Sequence, residues 1–320
     1  MATIAKMRNE KLTPFGLHDK LHVEGKNLVD KKGKKVLLKG LSSHNMSSFP
    51  KFLNEEGIRD LVNIFDFDIF RFAMYSASAD GDFGYADGNY DHKVELENLL
   101  LKGVETCAKL GIYALIDWHI LLEETPMAHK DEAIAFFKKI SAQLKDYDNV
   151  IYEICNEPNG PKAPWDVIYD YAMEVIPVIR ENDPDKIIIV GTPMWSQDVH
   201  IAAEKPLPFE NIMYTLHFYA DTHKEELRDK ARAAIEKGLP IFVTEFGVCN
   251  AQGNGDINVE ESKTWIRFLK ENDISFIIWN LSNKDETSAI LSPDCRATYG
   301  YKPDDFSPCG KFIKELFATK

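Results

Sequence analysis

Two glutamates stand where strand-like runs end. Val150–Pro158 reads V-I-Y-E-I-C-N-E-P, an apolar, β-branched run that delivers Asn156 and Glu157 and then meets Pro158. Proline cannot donate to a sheet ladder, so the strand must stop there. Ile241–Gly247, I-F-V-T-E-F-G, likewise delivers Glu245 shortly before a glycine. Two carboxylates at the ends of separate strands form the simplest constellation for cleaving a glycosidic bond. One protonates the leaving oxygen, and the other serves the anomeric carbon as nucleophile or base. His44, Arg71, His119, His217, Tyr219 and Trp279 stand at or near the ends of other strand-like runs, so polar or aromatic candidates mark seven of eight such runs. Taken singly, each has a structural explanation. Arg71 can tie down a buried Glu153, His119 and His217 can be satisfied rim histidines, and Trp195 and Trp279 can be core. Phe83, Tyr85 and Tyr90 can anchor their loop. Arriving together at strand ends, the residues point to one cleft.

The elements that must position them alternate along the chain. Strand-like runs at Leu37–Ser42, Asp68–Tyr75, Ile112–His119, Val150–Pro158, Lys186–Gly191, Asn211–Tyr219, Pro240–Phe246 and Ser275–Asn280 are separated by helix-period segments. The helices are expected near 55–65, 93–110, 130–147, 165–182, 221–237, 260–272 and 310–317. Eight units in this order, without G-x-G-x-x-G or a P-loop, predict a single α/β (β/α)8 TIM barrel. Its active rim lies at the carboxyl ends of the strands. Residues 1–20 read as an N-terminal extension. Residues 21–38 read as a small N-terminal β-hairpin with a basic, Gly-bearing tip at Asp30–Lys35, placed to cover the barrel bottom. The remaining chain is used by the barrel, which leaves no separate carbohydrate-binding module.

Composition narrows the partners. The 320 residues carry a net charge of −13, with 44% hydrophobic and 28% charged residues. Such an acidic chain offers no basic face for nucleic acid and no attraction to an anionic membrane. No apolar window is long enough to span a bilayer. Met1–Lys11 lacks the apolar stretch of a signal peptide. Five cysteines, with no C-x-x-C, do not make a disulfide framework, and pairing of Cys295 with Cys309 stays open. Three histidines and several carboxylates are the raw material of a metal site. Without H-x-H or H-E-x-x-H spacing, however, a two-carboxylate chemistry needing no metal and no cofactor is the simpler reading.

At the level of motifs the chain resembles glycoside hydrolase family 5, in its branch of bacterial endo-β-1,4-glucanases. The resemblance runs from about Leu21 to Leu291. It is carried by L-K-G-L-S-S-H (Leu38–His44), F-R-F-A-M-Y (Phe70–Tyr75), I-D-W-H (Ile116–His119) and I-Y-E-I-C-N-E-P-N-G (Ile151–Gly160). It continues in G-T-P-M-W-S-Q-D-V (Gly191–Val199), Y-T-L-H-F-Y-A (Tyr214–Ala220), F-V-T-E-F-G (Phe242–Gly247) and W-N-L-S-N-K-D-E (Trp279–Glu286). The resemblance implies Glu157 as acid/base and Glu245 as nucleophile. It implies that Arg71, His119, Asn156, His217 and Tyr219 surround the sugar at the cleavage point. His44, Tyr75, Trp279, Lys284 and Glu286 match substrate-binding positions. Ser48 and Phe246 depart from the family, which often has tryptophan at both places.

The carboxylate pair predicts a retaining cleavage, and the resemblance implies endo action on internal β-1,4 bonds in cellulose and related β-glucans. Mannan, xylan and xyloglucan stay open as substrates, and a non-catalytic sugar-binding barrel is the reading from another class. The resemblance also implies a secreted protein whose partner is its polysaccharide; the sequence does not give the oligomeric state, and a monomer is the expectation.

Overall fold

Alternation of side chains along eight short runs builds the frame. In a computed structural model of the protein, described over residues 1–79 and 81–318, these runs are parallel strands closed into a barrel. They are β1 (Lys39–Ser43), β2 (Ile69–Tyr75), β3 (Tyr113–His119), β4 (Val150–Glu153), β5 (Ile188–Val190), β6 (Ile212–Tyr219), β7 (Ile241–Gly247) and β8 (Phe276–Leu281). Each strand pairs with its neighbours in the chain, and β8 closes onto β1. The helices between them are α1 (Glu55–Phe65), α2 (Tyr90–Leu110), α3 (Lys130–Leu144), α4 (Trp165–Arg180), α5 (Val199–Ala202), α6 (Glu225–Glu236) and α7 (Val259–Glu271), with α8 (Pro308–Ala318) after β8. The barrel expected from the sequence is the barrel observed.

Local chemistry sets the boundaries. Asn54, Asn89 and Asn258 accept the third amide on from themselves and start α1, α2 and α7. The Asn89 cap explains why α2 begins earlier than its apolar stripe suggests. Gly111, at φ +69°, ends α2 in the left-handed conformation. The β4 ladder ends at Glu153, short of Pro158. The chain nevertheless stays tied to the strand beside it, because the amides of Asn156 and Glu157 donate to Trp118 and Ile120 carbonyls at 3.2 and 3.3 Å.

Inward-facing side chains form distinct zones along the barrel axis. At the amino end, Ile69, Leu115, Ile151, Ile189, Met213, Phe242 and Ile277 pack with Ile4, Phe15, Leu21, Leu28, Val36 and Leu38 from the first segment. The bottom is therefore closed by an apolar plug. Gly40 permits this density: a Cβ there would come within 2.6 Å of Ile69 and 2.9 Å of Ile277. The plug's hairpin pairs His22–Glu24 with Asn27–Val29. Its tight turn lies at Gly25-Lys26 rather than at Asp30–Lys35, because Gly25 adopts φ +58°. Asp30 instead folds a second turn, accepting the Lys32 and Lys34 amides. Residues 1–20 carry structure the sequence did not signal: Met7–Arg8 pairs with Lys11–Leu12, and Pro14–His18 is one helical turn or so.

β7 departs from simple alternation. Thr215 of β6 pairs with Phe242, whereas His217 pairs with Glu245, so β7 carries an extra residue between them. This bulge turns Thr244 and Glu245 both inward, while Val243 and Phe246 face the helical shell. All five cysteines are buried free thiols, Cys295 and Cys309 included.

Candidate active site

The carboxyl ends of the strands surround a cleft of about 580 Å³. His44, Tyr75, His119, Glu157, His217, Tyr219, Glu245, Trp279, Lys284 and Glu286 all line it. Arg71 and Asn156 lie one layer deeper, fully buried. Thus ten of the twelve sequence-derived site residues face one space, and two support it from below.

Arg71 is the hub of the deep layer. Its guanidinium meets Glu153 at 2.8 Å, Asp117 at 2.9 Å and Glu245 at 3.3 Å, and donates to Asn156 Oδ1 at 2.7 Å. Burial opposes its charge, but the three carboxylates outweigh burial and raise its pKa. Arg71 therefore both ties down Glu153 and reaches Glu245. Asn156 spends its amide protons on Ile120 O and His119 Nε2, at 3.1 and 3.2 Å. An approach to a sugar 2-OH requires one of these bonds to open. Because His119 Nε2 accepts from Asn156, its proton sits on Nδ1, which donates to Asp117 at 2.7 Å. Its ring stacks between Tyr75 and Trp279, with centroids at 4.0 and 5.3 Å.

The two glutamates have opposite surroundings. Glu245 receives two donors, Tyr219 O–H at 2.8 Å and Arg71 Nη1 at 3.3 Å. Donors favour the carboxylate. Glu157 faces His217 Nδ1 at 2.8 Å. The proton on His217 can be placed by following the chain behind it. Thr244 Oγ1 lies 2.7 Å from Glu153 Oε1 and donates its only proton there. It must then accept from His217 Nε2, at 2.9 Å. Burial, the largest influence, holds His217 down at about 4, so the ring is neutral and Nδ1 offers a lone pair to Glu157. That contact favours the protonated acid.

Burial pushes both carboxyls up, Glu157 to about 8 and Glu245 to about 7. Asp117 and Glu153 add to the effect at Glu157, and Arg71 opposes it. At Glu245 the charge of Glu157 adds, while Arg71 and the Tyr219 hydroxyl pull down. One ligand atom each from Glu157, His217 and Glu245 lie within 4.8 Å of one another. This is also the one grouping among the described residues with the composition and spacing to hold a metal ion.

In the cleft lining Glu286 is held by Asn280 at 2.9 Å, Ser288 at 2.6 Å and Lys284 at 3.2 Å, with His44 Nε2 at 3.9 Å. The lining also includes residues that sequence reasoning did not assign, among them Leu121, Leu122, Gln197 and His223, with Trp195. Trp195 lies in a turn whose Met194, Trp195 and Ser196 all have positive φ. Its amide donates to Pro158 O at 3.0 Å, and Ser196 Oγ donates to Asn156 O at 2.6 Å, which fixes this wall next to Glu157. T-P-M-W-S carries no signal of such backbone, and His223 sits beyond its strand end. Neither Ser48 nor Phe246 lines the cleft; Phe246 stacks on Phe218 at 5.3 Å in the helical shell. Tyr85 is a loop anchor, donating to Glu97 at 2.6 Å, whereas Phe83 and Tyr90 are exposed.

Comparison with known proteins agrees with this geometry. Residues 29–285 match the family model for cellulase, glycosyl hydrolase family 5. Endoglucanase A of Evansella cellulosilytica is 44% identical over 284 residues, covering 88% of this chain and 56% of that protein. Endoglucanase A of Butyrivibrio fibrisolvens is 41% identical over 308 residues, covering 96% of this chain and 70% of the relative. The chain thus spans little more than half the length of some curated relatives it matches. Among solved structures, cellulase Cel5C_n superposes with a TM-score of 0.89 at 44% identity, covering 96% of this chain and 94% of that one. The catalytic domain of Thermobifida fusca endoglucanase Cel5A, in complex with cellotetraose, gives 0.88 at 31% identity, covering 95% and 99%. The chain belongs to glycosyl hydrolase family 5, the cellulase family.

Proposed function

We propose that residues 1–320 act as a single catalytic domain, a retaining endo-β-1,4-glucanase. Glu157 serves as acid/base and Glu245 as nucleophile. The observation that carries this reading is the asymmetry of the pair: two hydrogen-bond donors at Glu245, and a lone-pair acceptor at Glu157. Like charges at this spacing do not both ionise easily, and the surroundings decide which carboxyl keeps its proton. Oxygens within 4.8 Å suit the roughly 5–5.5 Å carboxyl separation of retaining enzymes better than the roughly 6.5–9.5 Å of inverting ones.

The chemistry follows from the contacts. Glu245 attacks the anomeric carbon as the glycosidic C–O bond breaks, and the Glu157 proton passes to the leaving oxygen. A glycosyl ester on Glu245 results. Glu157, now a carboxylate, takes a proton from water as that water attacks the same carbon and releases Glu245. Tyr219 and Arg71 receive the returning negative charge. His44, Tyr75, Trp279, Lys284 and Glu286 bind the sugar that becomes the ester, with Trp279 as its stacking face. Arg71, His119, Asn156 and His217 position the pair.

The endoglucanase names of the relatives support internal cleavage. The endoglucanase names of the relatives and the cellotetraose in the Thermobifida complex support β-1,4-glucan as substrate. A polymer too large to cross a membrane requires an enzyme outside the cell, which supports secretion. Among the described residues no helix is long and apolar enough to cross a membrane. With no binding module proposed, soluble glucans are expected to be better substrates than crystalline cellulose.

Reducing-sugar release and viscosity on carboxymethylcellulose, barley β-glucan, glucomannan and xylan test this reading. A fast viscosity fall on the two glucans, abolished by Glu245→Gln, is the expected result. Preference for mannan or xylan would overturn the substrate, and no turnover on any would overturn the enzyme. The Glu157–His217–Glu245 grouping gives a metal-dependent hydrolase as second reading. Activity lost to EDTA and restored by a divalent cation would favour it.

A further inference from the structure

Resting on the glycosidase reading above, we infer that His223 is a specificity-determining residue that donates a hydrogen bond from Nε2 to the sugar on the leaving-group side of the cleft. The residue follows β6 and lines the cleft, yet the bond-breaking chemistry does not use it. Its protonation follows from one contact. The Tyr219 backbone amide, which can only donate, meets His223 Nδ1 at 2.9 Å. Nδ1 must therefore accept, and in the neutral ring the single N–H is on Nε2. Burial, the largest influence, with Lys230 nearby, holds the ring down at about 4, so it is neutral at ordinary pH.

The ring is also rigidly mounted. The His223 amide donates to Tyr219 O at 2.8 Å, and its carbonyl accepts from Trp265 Nε1 at 2.8 Å. A donor fixed by its own backbone loses little entropy when a ligand hydroxyl arrives.

Position assigns the side of the bond. Lys230, whose charge His223 feels, is paired at 2.6 Å with Asp198, which follows Gln197 of the Trp195 wall. That wall is joined to Pro158, the residue after Glu157. The acid protonates the leaving oxygen, so sugar lying beyond Glu157 on this wall belongs to the leaving group. The ligand is a pyranose with equatorial hydroxyls, offering an acceptor oxygen to Nε2 and an apolar face to the Trp195 ring, which lines the same cleft.

The test compares two substrates with the same transferred cellobiosyl unit. Cellotetraose leaves a disaccharide on this wall, whereas an aryl β-cellobioside leaves a phenol. His223→Asn keeps an acceptor near the position of Nδ1 and removes the donor at Nε2. The ratio of kcat/KM for cellotetraose to that for the aryl cellobioside is expected to fall roughly three- to tenfold, the size of one neutral hydrogen bond. His223→Gln, whose amide reaches toward the Nε2 position, is expected to recover part of the ratio. Equal losses on both substrates, or an unchanged ratio, would overturn the assignment for His223 alone. Wild-type protein that turns over neither substrate would overturn the glycosidase reading itself.

Discussion

The two ends of this barrel are built from the same strands and have opposite characters. Along β2, Ile69 at the bottom belongs to an apolar plug, while Arg71 two residues on is the centre of a charged network. Along β3 the sequence Leu115, Asp117, His119 makes the same transition. The bottom contributes burial, and its loss costs stability in proportion to the apolar volume removed. The top holds buried ionisable groups around a single guanidinium, a kind of arrangement whose replacement by well-packed apolar residues is often neutral or stabilising. Strand ends this costly persist because the chemistry needs them.

The sharpest way to break this comparison is at the top. Glu245→Gln is expected to lower kcat by on the order of 10³–10⁵-fold with little change in melting temperature. Glu157→Ala is expected to cost on the order of 10²–10⁴-fold on β-glucan and much less on aryl cellobiosides with good leaving groups. Equal losses on the two substrate types would remove Glu157 from the acid role. At the bottom, Leu28→Ala empties part of the plug and is expected to cost about 2–4 kcal/mol in denaturant unfolding, with kcat unchanged. A large fall in kcat there would show that the two ends are not separable.

A smaller effect tests the relay beneath the acid. Activity requires Glu245 ionised and Glu157 protonated, so kcat/KM is expected to rise through the first titration near 7 and fall through the second near 8. Thr244→Val removes the acceptor from His217 Nε2. The ring can then carry its proton on Nδ1 and donate to Glu157, which favours the carboxylate. The alkaline limb should move to lower pH by about one unit, equivalent to about 1.4 kcal/mol. A limb that stays in place, or moves to higher pH, would show that Thr244 does not set the tautomer.

The legible parts of this site were those that obey period and punctuation. The Asp117/His119 pair declares a shared face by its spacing, whereas Pro158 only bounds its strand, whose ladder ends earlier, at Glu153. Glu245 was placed at the right strand end, but simple alternation along I-F-V-T-E-F-G puts Thr244 and Phe246 on one face and Glu245 on the other. A bulge reverses this, and the bulge depends on pairing with β6 and β8, which local sequence does not encode. The same bulge turns Phe246 into the shell, so its departure from tryptophan concerns packing rather than sugar contact. Trp195 and His223 were hidden for a related reason. A left-handed turn at Met194–Ser196 and a histidine beyond its strand end leave no periodic trace. The Gly25 turn was misplaced because Asp30–Lys35 carries the stronger local turn composition, and two turns exist where one was expected.

The measurement that bears most directly on the central claim is the anomeric configuration of the first product. Proton NMR of cellotetraose or cellopentaose hydrolysis, followed from the first minutes, separates the product anomers before mutarotation mixes them. Two displacements at one carbon, through a Glu245 ester, predict β-configured reducing ends first, with the α anomer growing in later. Initial appearance of the α anomer would mean a single displacement by water and would contradict the assignment of Glu245 as nucleophile.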